Sequence, residues 1–363
     1  MTDEEYMDLA LHLAESTKGQ TSPNPSVGAV VVKNGTTAGM GAHLKAGEAH
    51  AEIHALQAAG NDAQGASMYV TLEPCSHTGK TPPCVEAVIK SGIRRVVIAA
   101  LDPNPEVSGS GVKRLQEAGI EVSIGTGNNR AEWLNRYFMH FMKTGLPYVT
   151  LKTAVSLDGK TATATGESQW ITGTESRKDS HRLRHEHDAI LAGIGTVLHD
   201  DPSLTARAVE GGLQPVRVVL DRHLRIPLEA SMLQDNMAPV WIFCGAEAST
   251  EKKRNLAQTG AVIYQASEAD VQLAEVLSIL GNENILSVFV EGGSEIHGRF
   301  VEEKRFQEFI TYTAPVLIGG RLAPTSAGGS GIAHLNEAPR LEVHSVEQLG
   351  QDIKVTAVRK GNE

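Results

Sequence analysis

The side chains best suited to chemistry fall close together early in the chain: His50-Ala-Glu52, then Pro74-Cys75-Ser-His-Thr-Gly-Lys-Thr-Pro-Pro-Cys84. One imidazole and two thiols are soft ligands. A catalytic zinc keeps three protein ligands and gives its fourth position to a water that it acidifies toward neutral pH. His50, Cys75 and Cys84 are therefore the expected ligands, and Glu52 is an unligated carboxylate close enough to move protons. Cysteine is scarce, three in 363 residues, so two of them following a His-x-Glu is a costly coincidence. Two rival readings use the same residues. A structural zinc needs a fourth protein ligand; His77 is the candidate, but Glu52 then has no purpose. His50-Ala-Glu-Ile-His54 spaces two histidines as on a metalloprotease helix, but there the Glu directly follows the first His. Here it is displaced by one, and His54 reads as a packing or hydrogen-bonding helix residue.

The elements that must position these groups follow from periodicity. Residues 3–18 have helical spacing and stop at Gly19, and the segments 27–32 and 36–43 flank Asn34-Gly35, a hairpin signal. Next come a helix from about 49 to 59, a strand at 67–72, a helix at 83–91, a strand at 95–101, a helix at 111–118 and a strand at 120–124. His50, Glu52 and Cys84 thus sit near helix starts and Cys75 just past a strand. The alternation predicts a sheet covered by helices. Residues 130–143 read as one closing helix carrying Trp133, Tyr137, Phe138 and Phe141. Lys143-Thr-Gly-Leu-Pro147 breaks the pattern, which divides the chain into domains 1–144 and 145–363. The second half repeats the alternation, with strands at 148–156, 188–194, 216–221, 239–244 and 285–290 and helices near 174–185, 268–280 and 294–304. Both halves are of the α/β class. No internal repeat is found, only a Gly-rich loop at 327–331.

Composition narrows the function classes. The length favours two domains over one core. A formal net charge of −10 argues against a nucleic-acid binder, whose footprint is basic, while leaving room for a small phosphorylated substrate. No apolar run is long enough to span a bilayer, and the start, Met-Thr-Asp-Glu-Glu, is acidic and polar, so no membrane partner and a cytoplasmic location are expected. With two cysteines in the metal motif, no pair is left for a structural disulfide, and Cys244 reads as a buried strand residue. A homo-oligomer is the general expectation.

These residues carry a family resemblance. The first half resembles the cytidine-deaminase-like superfamily, although eight residues rather than two separate the cysteines. That longer insert, with Thr21-Ser-Pro-Asn-Pro-Ser-Val-Gly-Ala-Val-Val-Val32, looks like the riboflavin-biosynthesis branch, and the whole chain resembles the bifunctional riboflavin biosynthesis deaminase/reductases. The resemblance implies an N-terminal cytidine-deaminase-like α/β/α domain with a mixed sheet and a C-terminal dihydrofolate-reductase-like α/β domain. It implies zinc-dependent hydrolytic deamination of a diaminopyrimidine bearing a ribosylamino 5′-phosphate, with Glu52 carrying the proton to the ring nitrogen and then to ammonia. Asn24, His43, His77 and Lys80 match positions at which the family holds that substrate. Taken bare, a loop Asn is more often a turn former and a loop Lys more often a solvated charge.

For the second half no Gly-x-Gly-x-x-Gly with a following strand acid appears, so an ordinary dinucleotide fingerprint is absent. Instead a strand ends in Phe289-Val290-Glu291, followed by Gly292-Gly293-Ser294 and a helix, and small residues at a helix start let backbone N–H groups approach a phosphate. Resemblance implies NADPH as the cofactor, reducing the ribosyl group to a ribityl chain, with Ala154, Trp170, Thr196, Asp200, Gly292 and Gly293 at cofactor positions. Ser168, Arg184, Leu204, Arg207 and Glu291 match substrate positions, and Lys152 is a candidate to polarise the opened sugar. Arg184 and Arg207 suit a phosphate clamp, though the charged helix holding Arg184 also reads as a solvated face. An alternative is a nucleobase or nucleic-acid deaminase with a non-catalytic second domain. That class calls for a basic second half and stacking aromatics, and aromatics make up 4% of this chain.

Overall fold

The computed structural model describes residues 1–76, 83–104, 108–207 and 212–361. The chain divides into two compact units, Met1–Gly145 and Leu146–Glu363.

In the first unit, helix α1 (Asp3–Glu15) leads into strands β1 (Gly28–Lys33) and β2 (Thr36–Ala42), then α2 (Ala51–Ala59), β3 (Ser67–Leu72), α3 (Cys84–Lys90) and β4 (Arg95–Ala100). The unit closes with α4 (Ser110–Glu117), β5 (Glu121–Ile124), α5 (Asn128–Leu134) and α6 (Arg136–Thr144). The sheet order is β2-β1-β3-β4-β5, with β1 antiparallel to both neighbours and β3, β4 and β5 parallel. Asn34 and Gly35 take φ of 51° and 79°, the left-handed pair that a two-residue hairpin turn requires. Strands β1, β3 and β4 are buried almost throughout, as expected of strands covered on both faces. The helix expected over 130–143 is two helices. Asn135 interrupts it because its side chain is bonded elsewhere: Oδ1 accepts from the Ser26 N–H at 2.8 Å and Nδ2 donates to the Ser26 carbonyl at 2.9 Å.

Helix α2, which carries the candidate chemistry, lies directly on β2 through a seam of small residues. Ala51, Ala55 and Ala59 are buried, and a Cβ at Gly41 would stand 2.4 Å from the Ala51 carbonyl oxygen and one at Gly39 2.2 Å from that of Ala55. Gly41→Ala therefore lifts the helix, and is expected to lower stability by roughly 3 kcal/mol. An unchanged denaturant midpoint would refute this packing account.

The second unit runs β6 (Tyr148–Ser156), α7 (Thr174–Glu186), β7 (Ala189–Gly193), α8 (Ile194–Asp200), β8 (Val216–Leu220), α9 (Ser231–Gln234), β9 (Val240–Cys244), α10 (Thr250–Ala257) and β10 (Val262–Gln265). It continues α11 (Leu273–Asn282), β11 (Ser287–Val290), α12 (Ser294–Glu302), β12 (Glu308–Ala314), β13 (Leu341–Leu349) and β14 (Asp352–Arg359). The sheet order is β10-β9-β8-β7-β11-β6-β12-β14-β13, parallel except for β14, which is antiparallel to both neighbours. Adjacent strand residues feed opposite cores: Ile190, Val219, Ile242 and Phe289 one, Leu191, Val218, Phe243 and Val288 the other. Helix α11 begins at Leu273, not 268, and α8, α9, α10, β10 and the last three strands add to the expected elements. Cys244 is fully buried at the end of β9.

A candidate metal centre and a candidate cofactor cleft

His50 immediately precedes α2, Glu52 lies in that helix's first turn, Cys75 follows β3, and Cys84 opens α3. His50 Nδ1 is 3.0 Å from Cys84 Sγ and 3.7 Å from Cys75 Sγ, and the three ligand atoms lie within 4.8 Å of one another. Tetrahedral bonds of about 2.1 Å to nitrogen and 2.3 Å to sulfur separate ligand atoms by roughly 3.5 Å. The two distances bracket that value, so the donor set fits a zinc ion. The Cys84 N–H donates to Cys75 Sγ at 3.2 Å, a bond that favours thiolate. Hydrogen bonding between the two thiols pulls Cys75 down to about 4 and pushes Cys84 up. Glu52 is 3% exposed, and burial pushes its carboxyl up to about 7. His54 is outside the cluster, with its Nε2 buried and unpartnered.

His43 is buried beside the centre, its ring edge-on to His50 with centroids 5.1 Å apart. Its Nδ1 meets the Ala49 carbonyl at 3.2 Å and its Nε2 the Asn24 amide nitrogen at 3.0 Å. Those partners suit a neutral ring with the proton on Nδ1, and burial lowers its pKa in the same sense. Asn24 and His43 thus stand together; His77 and Lys80 lie outside the described residues. Sequence reasoning missed Glu73. Its buried carboxylate accepts backbone N–H groups from Asp102 (3.2 Å), Gly109 (3.0 Å), Gly111 (2.8 Å) and Val112 (3.1 Å), which ties the start of α4 to the Pro74-Cys75 turn. An acid at the end of an apolar strand, directly before Pro-Cys, was the available signal.

In the second unit a cleft of ≈ 960 Å³ opens along the carboxyl ends of parallel strands, where α/β sheets place their ligands. It is lined by all twelve candidates: Lys152, Ala154, Ser168, Trp170, Arg184, Thr196, Asp200, Leu204, Arg207, Glu291, Gly292 and Gly293. At its floor Glu291 Oε1 accepts from Lys152 Nζ at 3.1 Å and Ser180 Oγ at 2.9 Å, and Oε2 from Arg184 Nε at 2.6 Å. Burial alone would raise this carboxyl, but the charges of Arg184 and Lys152 outweigh it and hold it at about 2. Gly293 caps α12, and its N–H donates to Thr196 Oγ1 at 3.1 Å. A Cβ on Gly292 would crowd Ile296 at 3.1 Å. Small residues on this wall leave room for a dinucleotide. Trp170 is 70% exposed at the rim with Arg177 stacked 4.8 Å from its ring. Asp352 accepts from the Gly173 N–H at 2.8 Å and Ser176 Oγ at 2.6 Å, capping α7 from another element. Also missed were His181 and Tyr312, both lining the cleft.

Residues 147–355 match the RibD C-terminal domain, and residues 1–100 the cytidine and deoxycytidylate deaminase zinc-binding region. The chain belongs to the RibD family. It is 52% identical to the riboflavin biosynthesis protein RibD of Bacillus amyloliquefaciens, over 99% of this chain and 96% of that one, and 46% identical to that of Aquifex aeolicus, over 97% of each. Among solved structures it is similar to Acinetobacter baumannii RibD (TM-score 0.89, 40% identity, 99% of both chains). It is also similar to the Thermotoga maritima diaminohydroxyphosphoribosylaminopyrimidine deaminase/5-amino-6-(5-phosphoribosylamino)uracil reductase (TM-score 0.86, 35% identity, 98% of both chains). As a RibD chain it is a bifunctional deaminase and reductase of riboflavin biosynthesis, with a zinc-binding deaminase part and an NADPH-dependent reductase part. Among the described residues no helix is long and apolar enough to cross a membrane.

Proposed function

We propose that the protein acts twice on one phosphorylated pyrimidine. It removes the ring amine of 2,5-diamino-6-ribosylamino-4(3H)-pyrimidinone 5′-phosphate by hydrolysis, then reduces the ribosyl group to give 5-amino-6-ribitylaminouracil 5′-phosphate. The observation that carries the reading is a three-ligand centre beside one buried, unligated carboxylate, in a chain whose second unit holds a cleft with a charged floor. Domains 1–144 and 145–363 are taken as the two catalytic units.

Zinc held by His50, Cys75 and Cys84 would supply the Lewis acid that activates water. Glu52 takes one proton from the attacking water and passes it to the ring nitrogen, then takes the second from the hydroxyl so added and passes it to the amine, which departs as ammonia and leaves a carbonyl; a carboxyl near pKa 7 suits both transfers. Asn24 and neutral His43, with His77 and Lys80, hold the pyrimidine and its phosphate arm. In the second unit Ala154, Trp170, Thr196, Asp200, Gly292 and Gly293 bind NADPH, which supplies the hydride. Ser168, Leu204, Arg184 and Arg207 hold the substrate, the arginines at its phosphate. Lys152, paired with Glu291 at 3.1 Å, polarises the opened sugar. A metal centre that needs both Cys75 and Cys84 reduced supports a reducing compartment, the cytoplasm. A homo-oligomer would cover Val343 and Val346, exposed along the outer strand β13.

The test measures ammonia release and NADPH oxidation with and without a zinc chelator. Chelation is expected to stop ammonia release and to spare NADPH oxidation on already deaminated substrate. Ammonia release that survives verified metal removal would overturn the assignment of the centre.

A further inference from the structure

Three successive positions of the cleft wall on α7 are Ser180, His181 and Arg184. Glu291 engages the first and the third, at 2.9 and 2.6 Å. His181 lines the cleft beside the Thr205 backbone, and its Nδ1 is buried and unpartnered. Of the buried unpartnered side-chain atoms among the described residues, His181 Nδ1 is the one whose residue lines this cleft. Arg184 is largely committed, with Nε on Glu291 and Nη1 on the Thr205 carbonyl at 3.1 Å. Two of its five N–H donors, the Nε one included, are thus taken, which leaves it fewer to offer a phosphate. A phosphate entering between Arg184 and Arg207 therefore still needs donors for its oxygens.

We propose that His181 is the third residue of the reductase's phosphate subsite, its imidazole binding the substrate phosphate between Arg184 and Arg207. The proposal rests on the reading that this arginine pair takes the phosphate.

Electrostatics set how the contact works. The ring faces Arg184 on its own helix, Arg207 and the Thr205 carbonyl on the segment after α8, and Glu291 after β11. Burial first, then the charges of Arg184 and Arg207, hold the imidazole down at about 4 against the opposing pull of Glu291 and the Thr205 backbone. At neutral pH the ring is uncharged. A phosphate monoester is largely dianionic there, with a second pKa of about 6, and its charge offsets both guanidiniums. The balance at His181 then reverses, and the ring takes up a proton and donates an N–H to the phosphate. Binding is thereby coupled to proton uptake, and an uncharged analogue takes up none.

The experiment uses the full chain with ribose 5-phosphate as probe and ribose as control, by calorimetry at pH 7 in two buffers of different protonation enthalpy. The wild type is expected to take up a proton with ribose 5-phosphate. His181→Ala should weaken binding about tenfold, the size of one charge-assisted hydrogen bond, with no uptake. His181→Gln keeps a hydrogen bond and should recover part of the affinity but none of the proton uptake, a split that loss of packing does not produce. In turnover, His181→Ala should raise KM for the deaminated substrate about tenfold with kcat within about twofold, and unchanged NADPH affinity reports an intact fold. Equal affinity and equal uptake in wild type and His181→Ala overturn the proposal, as does a loss confined to kcat. Arg207→Ala separates the two readings. If it weakens ribose 5-phosphate and His181→Ala does not, the histidine proposal fails alone. If neither variant matters, or ribose 5-phosphate binds no tighter than ribose, the phosphate reading fails with it.

Discussion

Glu52→Gln is expected to cut ammonia release by about a thousandfold, within the range of a lost general acid–base, while reduction of already deaminated substrate stays within about twofold. The substitution is nearly isosteric. It keeps the carboxamide in the first turn of α2 and leaves His50, Cys75 and Cys84 untouched, so zinc content should remain at one per chain. The neutral amide cannot accept a proton from water, and the step fails at that atom. Separate assays of ammonia and of NADPH oxidation, with metal analysis on the same preparation, read all three quantities. Loss of both activities in a folded, zinc-replete variant would contradict independent catalytic units.

Glu291→Gln has the largest expected effect in the second unit. The wild-type carboxylate is 8% exposed and lies between Lys152 and Arg184, themselves 18% and 17% exposed. Removing its charge leaves two cations facing each other in a poorly solvated floor, a loss of ~3 kcal/mol for a broken buried pair. Reductase kcat/KM should fall about a hundredfold, because the same cations face the substrate. The pH dependence carries the sign. Glu291 sits at about 2 in the folded protein, below its ordinary value of 4.5, so its stabilisation is complete above that ordinary value and is lost as pH falls through 2. The gap in Tm between wild type and variant should be constant from neutral pH to about pH 5 and close toward pH 2. A gap that widens on acidification would rule out the depressed carboxylate.

The parts of both sites legible in the sequence are those specified by local or scarce chemistry. Two cysteines behind a His-x-Glu stand out because few other cysteines exist, and Asn34-Gly35 marks a turn because few residue pairs accept positive φ at both positions. The break at Asn135 was hidden, since its cause is a pair of hydrogen bonds to Ser26, 109 residues away. Strand β13 was hidden for another reason. Nearly all its residues are exposed, and a register shift between Val343 and Ser345 interrupts its two-residue period, leaving no alternation to read. In the cleft, His181 and Arg184 belong to a helix whose charges match a solvated face. The carboxylate of Glu291, supplied from just after β11, is among the distant partners that distinguish an inward from an outward side of that helix. Asp352 is legible only from the structure for the same reason: it caps α7 from 176 residues away.

The seam between α2 and β2 has a mechanical consequence. Most helices ride on their sheet through interleaved side chains, which can change rotamer and absorb small displacements. Here the backbone of Gly39 and Gly41 meets the backbone of the helix with nothing compressible between. The helix start that presents His50 and Glu52 therefore inherits the stiffness of the sheet itself, and whatever adjustment the pyrimidine requires must come from the loops around it.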